Sequence, residues 1–96
     1  MKIIAMEVES QGVTPEQYQP HLKAEARRVW ELHQSGVIRE LYFRADRSEA
    51  VLVLECKDVH EARQALGSLP LVEAGLISFE LIPLVPYPGF ARLFER

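Results

Sequence analysis

A chain of 96 residues with 48% apolar content makes one domain, and its apolar share sits at the top of the ordinary globular range. Its 11 basic and 14 acidic residues are interspersed at a net charge of -3, and no basic stripe carries interleaved aromatics, so nucleic-acid binding is not expected. The single Cys56 excludes an intrachain disulfide, no apolar run reaches the ~20 residues of a membrane span, and "MKIIAMEVES" lacks a signal-peptide pattern; a cytoplasmic protein is expected.

Lys2 to Glu9 reads as a strand, with Ile4, Met6 and Val8 on one face and Ile3, Ala5 and Glu7 on the other. "QGVTPE" breaks it. Thr14 is placed as an N-cap and Pro15 as a first helical residue, while Pro20 either lies in the first turn or delays the regular helix to about His21. The helix continues to about Ser35 and stops at Gly36. Tyr18, Leu22, Ala26, Val29 and Leu32 share one side of it, and Lys23, Arg27, Glu31 and Gln34 the other.

Val37 to Arg44 is the second strand. Strict alternation puts Val37, Arg39, Leu41 and Phe43 on one face and Ile38, Glu40 and Tyr42 on the other. "ADRSE" is a polar turn of hairpin length. The near-continuous "AVLVLEC" that follows reads as a central strand covered on both faces. Asp58 caps a second helix, with Glu61 three residues on and Val59, Ala62, Ala65, Leu66 and Leu69 as its apolar face, and "GSLP" ends it. Leu76 to Leu84 is the fourth strand, with Pro83 at its end or at an edge.

The order β-α-β-β-α-β is the ferredoxin-like α+β pattern, an antiparallel sheet with both helices on one face. The chain has no third layer for the other face, to which Ile4, Met6, Ile38, Tyr42 and part of "VLVL" are assigned, so a homodimer closed sheet to sheet, or a higher homo-oligomer, is expected. Residues 1–85 form the domain. Residues 86–96 form an arm whose prolines keep it extended, with Tyr87 and Phe90 as anchors and Leu93 and Phe94 following; it is expected to pack on a neighbouring subunit and help close that subunit's pocket.

Strong catalytic motifs are absent, and His21, His33 and His60 lack metal-ligand spacing. Two residues of the first helix stand out. Glu25 falls within the apolar stripe, where a carboxylate is costly unless it is paired or its pKa rises, as a general base requires; at the stripe's margin it would instead reach water or pair with Arg28. His33 falls near the stripe's centre, as a ligand contact or as a last-turn residue bonding a helix-end carbonyl. Arg39 either faces the helices, able to hold an anionic group or pair with Glu25, or is a solvated charge. Tyr42 is a possible donor to a ligand or an interface tyrosine, and Trp30 fills the seam between the helices or an oligomer contact.

"LKAEARRVWELHQSGVIRELYFRADRSEAVLVLECKDVHEARQALGSLPL", Leu22 to Leu71, resembles the muconolactone isomerase family of the dimeric α+β barrel superfamily. The resemblance is carried by Leu22-Lys23-Ala24 before an acid, Leu32 with Gly36, Arg39 with Leu41, Glu61-Ala62 and Leu69-Pro70-Leu71. It implies a dimeric barrel and a cofactor-free isomerase of aromatic-compound degradation, shifting a proton within an unsaturated lactone. Glu25 would be the base and Lys23 or Arg39 the contact for the substrate carboxylate. Alternatives are a non-catalytic oligomeric module binding a small apolar or aromatic acid, or another dimeric-barrel enzyme such as a cofactor-free monooxygenase.

Overall fold

The computed structural model describes residues 1–95; Arg96, the last residue of the expected arm, lies outside them. The elements are β1 (Lys2–Glu9), α1 (Pro15–Tyr18), a 3-10 turn (Gln19–His21), α2 (Leu22–Gln34), β2 (Ile38–Phe43), β3 (Ala50–Glu55), α3 (Val59–Gly67), α4 (Pro70–Glu73) and β4 (Ile77–Pro83). A second 3-10 stretch, Gly89–Phe94, follows in the arm. All strand pairs are antiparallel, in the order β2-β3-β1-β4. This is the ferredoxin-like α+β fold expected from the sequence.

Period-two alternation sorts each strand between two faces. Ile3 and Ala5 of β1 stand opposite Leu54 and Leu52 of β3, and all four are buried with Leu32, Ala62, Leu66 and Leu69 from the helical side. The opposite face carries Ile4 and Met6 against Val53 and Val51, all four part-exposed. β3 is therefore central in the sheet, with its inner face covered by the helices and its outer face the one for which a second copy of the chain was expected to supply cover.

Helical order follows local chemistry. The Pro20 ring has no N–H to donate, and of the two expected placements the structure takes the later one: α1 and a 3-10 turn come first, and the regular helix α2 begins at Leu22, just after His21. Asp58 Oδ1 accepts the Glu61 N–H at 2.8 Å and starts α3. Pro70 at a first helical position adds the short α4, which sequence reading left unassigned. α2 ends at Gly36, whose φ of +86° is ready for glycine and strained for other residues.

Sequence and structure differ most in β2. Ile38 pairs with Leu54, but Glu40 pairs with Val53, so a bulge absorbs Arg39 and shifts the alternation by one residue. Ile38 therefore joins Leu41 and Phe43 on the helix side and is 0% exposed, whereas simple alternation put it on the open face with Tyr42. Trp30 does not fill the helix seam: it is 58% exposed, with its ring tilted against His33 at a centroid distance of 6.3 Å.

The arm leaves the body after β4. Val85, Tyr87, Phe90, Leu93 and Phe94 are all exposed, and the radius of gyration is 16.0 Å, above the roughly 13 Å of a compact chain this long. Tyr87 and Phe90 pack edge to face at 5.2 Å, and a Cβ at Gly89 would run into the Tyr87 ring. No helix among the described residues is long and apolar enough to cross a membrane.

Candidate active site

α2 and the inner sheet face diverge toward the C-terminal ends of β1 and β2, leaving an open cleft of about 920 Å³. Leu22, Ala26 and Val29 of α2 line one wall. Leu41, Phe43, Leu52 and Phe79 line the sheet side, while Leu69 and Leu71 close the back. Leu52, Leu69 and Leu71 are buried, whereas Leu22, Leu41 and Phe43 are exposed. An apolar cleft of this size with a few polar groups is the usual form of a small-molecule site.

The charged groups that line it are carboxylates. Along the inner face of β1 the alternation runs Ile3, Ala5, Glu7, Glu9, so the strand turns from apolar to acidic as it leaves the core. Glu25, one residue before Ala26, enters from α2. Its Oε1 accepts the Leu71 N–H at 2.9 Å, satisfying one of the unpaired donors at the start of α4. Burial raises the Glu25 pKa above the usual carboxylate range, against the opposing pull of the Leu71 N–H and of charge on His21.

Glu7 stands on the sheet side of the same cleft. Its Oε1 accepts the Ala50 N–H at 3.3 Å. Its pKa is also raised, first by burial and then by the negative charges of Glu49, Glu25 and Glu9, with the Ala50 N–H opposing. At the mouth the Tyr18 hydroxyl donates to Glu9 Oε2 at 2.7 Å; burial and that acceptor push the phenol well above its ordinary pKa. A half-buried carboxylate with raised proton affinity is suited to taking a proton from carbon near neutral pH.

The residues singled out from sequence are distributed unevenly around this cleft. Glu25 lines it and is not paired with Arg28, which binds Ser68 Oγ at 2.8 Å and Glu31 at 3.2 Å. Tyr42 borders the cleft, but its hydroxyl donates to Glu40 on the opposite sheet face. Lys23, His33 and Arg39 do not line it. Lys23 is exposed on α2. His33 Nδ1 lies 2.9 Å from the carbonyl oxygen of Ile38, a strand carbonyl in place of the expected helix-end one. The bulge turns Arg39 back to donate to the Gly36 carbonyl at 2.6 Å, so it does not pair with Glu25. Sequence reading placed Glu7 on the inner face without marking it as a site residue; the signal was an acid where alternation calls for an apolar side chain.

Fold and cleft together define a ferredoxin-like α+β domain whose apolar cleft is lined by the carboxylates of Glu7, Glu9 and Glu25. The chain belongs to the muconolactone delta-isomerase family: the family model of that description matches residues 3–89. A crystal structure of muconolactone isomerase at 3.3 Å resolution superimposes with a TM-score of 0.74 at 19% identity, covering 93% of each chain, a likeness of fold. No curated protein matches the chain.

Proposed function

We propose that the chain is a cofactor-free isomerase that shifts a proton within an unsaturated lactone, with Glu25 as the base. The observation that carries this reading is the position of Glu25: a half-buried carboxylate of raised proton affinity, held by the Leu71 N–H against the wall of an apolar cleft. The ionised carboxylate takes a proton from the carbon activated by the lactone carbonyl. The electrons of that C–H bond move into a dienolate, with negative charge on the carbonyl oxygen. The protonated Glu25 then returns a proton to the other end of the allylic system, so the double bond moves and nothing is oxidised or reduced. Gln19 and Ser48, which also line the cleft, carry donors suited to the developing oxyanion.

A homodimer closed on the open sheet face belongs to the same proposal. Ile4, Met6, Val51 and Val53 form an apolar centre there that a second copy would bury. The arm of residues 86–96, exposed at Tyr87, Phe90, Leu93 and Phe94, packs on a neighbouring subunit, with Tyr87 and Phe90 as anchors, and helps close its cleft.

A second reading has its own support. The bond from Leu71 gives Glu25 a purely structural task, so the cleft of a non-catalytic binding module would hold the same contact. Glu25→Gln decides between them, because it preserves an acceptor for Leu71 and removes the base. Loss of lactone turnover with fold and ligand binding intact supports the isomerase. A wild-type protein that binds lactones saturably without turning them over supports the binding module.

A further inference from the structure

We propose that the mouth of the cleft is completed by a second copy of this chain, whose 3-10 stretch Gly89–Phe94 seats its apolar ridges on the exposed cleft residues and brings Arg92 to Glu9. This contact rests on the reading of the arm as packed on a neighbouring subunit, and it adds a residue of the partner copy to the site.

The arm and the cleft of one chain lie at opposite ends of the sheet. In the β1–β4 ladder Ile3 stands opposite Pro83, and the Leu84 N–H donates to the Lys2 carbonyl at 2.9 Å, so the arm leaves beside the start of β1. The cleft opens at the other end of that strand, at Glu7 and Glu9. Ile3 and Glu9 are separated by about 20 Å of extended chain. The molecule is 61 Å long against 29 and 20 Å in its other dimensions, as an arm that continues outward rather than folding back requires. The cleft within its natural reach is that of a neighbouring copy turned end for end.

The two uncovered surfaces match in shape and charge. A 3-10 helix has three residues per turn, so Phe90 and Leu93 form one ridge, Ala91 and Phe94 the next, and Arg92 stands on the third. Phe90, Leu93 and Phe94 are exposed, as are Leu22, Leu41 and Phe43 at the cleft. Arg92 is the one charged side chain of Gly89–Phe94, and Glu9 is the carboxylate held at the mouth by Tyr18. The Tyr87 ring lies so close to Gly89 that a Cβ there would overlap it, and Tyr87 also packs edge to face on Phe90, so the stretch is shaped before it docks. A guanidinium carries five N–H donors, so Arg92 can bind Glu9 and still present an edge to an anionic ligand. The cleft then belongs to two chains, one supplying the carboxylates and the other a cation.

Charge reversal and cross-linking of the full chain test this contact. Arg92→Glu sets two acids against each other, and the concentration at which the assembly dissociates, followed by light scattering at low salt, is expected to rise about tenfold or more. Glu9→Arg should do the same, and the double variant, with the pair reversed, should return to within about threefold of the wild type. Separately, a chain carrying both Glu9→Cys and Arg92→Cys is treated with a short bismaleimide and run on a denaturing gel. Links between chains are expected, and neither single-cysteine variant should give them; the native Cys56 is buried in the core. Single reversals that leave dissociation unchanged, a double variant no better than the singles combined, or links within one chain only would overturn the inference. If removing residues 86–96 shifts the assembly while these results fail, the arm packs on a neighbour and the Arg92–Glu9 contact alone is wrong. If that removal changes nothing, the packed arm and the contact fall together.

Discussion

Glu25 has two separable tasks, and two substitutions separate them. Glu25→Gln keeps an oxygen to accept the Leu71 N–H, which Glu25 Oε1 accepts at 2.9 Å, and removes the basic site. Loss of a general base typically lowers turnover by about 10²–10⁴-fold. Stability should stay near wild type: the amide gives up the charge assistance of the bond, but no longer buries a charge whose pKa burial has raised. Glu25→Ala removes the acceptor as well. An orphaned buried donor costs about 1–3 kcal/mol, and because Glu25 is half exposed, water replaces part of the bond, leaving a loss of about 1 kcal/mol. In a domain of this size that is a fall in Tm of about 4–8 °C. Lactone isomerisation followed by NMR in deuterated solvent measures turnover, and thermal melts by circular dichroism measure stability. Wild-type turnover in Glu25→Gln would refute Glu25 as base. An equal fall in Tm for both variants would refute the capping argument, and the activity loss would then be a folding effect.

Three further outcomes are expected. Glu7 has a raised pKa in the folded state, so its stabilising contribution is fully present below the ordinary 4.5 and is lost as pH rises through the raised value. Glu7→Gln should therefore stabilise the protein at alkaline pH and flatten its stability profile just above pH 4.5; urea midpoints that run parallel in the two proteins across that range would contradict this. Val53→Asp puts a charge at the centre of the open sheet face and should convert an oligomer to folded monomers in light scattering, while a wild-type protein already monomeric at micromolar concentration would end the sheet-to-sheet proposal. Deleting residues 86–96 should dissociate or destabilise the assembly, and an assembly of unchanged size and Tm would remove the arm from it.

What could be read from the sequence was what depends on neighbours along the chain. Alternation in "KIIAMEVE" fixes which side chains of β1 face the helices, and Asp58 with Glu61 fixes the start of α3; the all-apolar run "AVLVL" carries no such contrast, and its facing is settled only by pairing with β1. Glu25 stood out because a helix wheel needs only the 3.6-residue period. Its partner did not, since Leu71 is 46 positions away and meets it only in the fold. The bulge at Arg39 was invisible for a related reason. A period-two reading assumes that no residue is skipped, and one skipped residue reverses every assignment beyond it. That slip moved Ile38 into the core and Arg39 out to the Gly36 turn, changing the charge balance expected at the site.

The site also depends on a residue with no chemistry of its own. Pro20 cannot donate to a preceding carbonyl, so the helix does not run unbroken from Pro15 to Gln34. α1 and the 3-10 turn before α2 bring Pro15, Tyr18 and Gln19 to the wall of the cleft, beside the acidic end of β1. There the Tyr18 hydroxyl holds Glu9 at the rim, leaving Glu7 and Glu25 as the carboxylates deeper in the cleft. The same break that looked like a defect in a helical pattern is thus what gives the cleft its mouth, and it places a hydrogen-bonded acid there in front of the two half-buried ones.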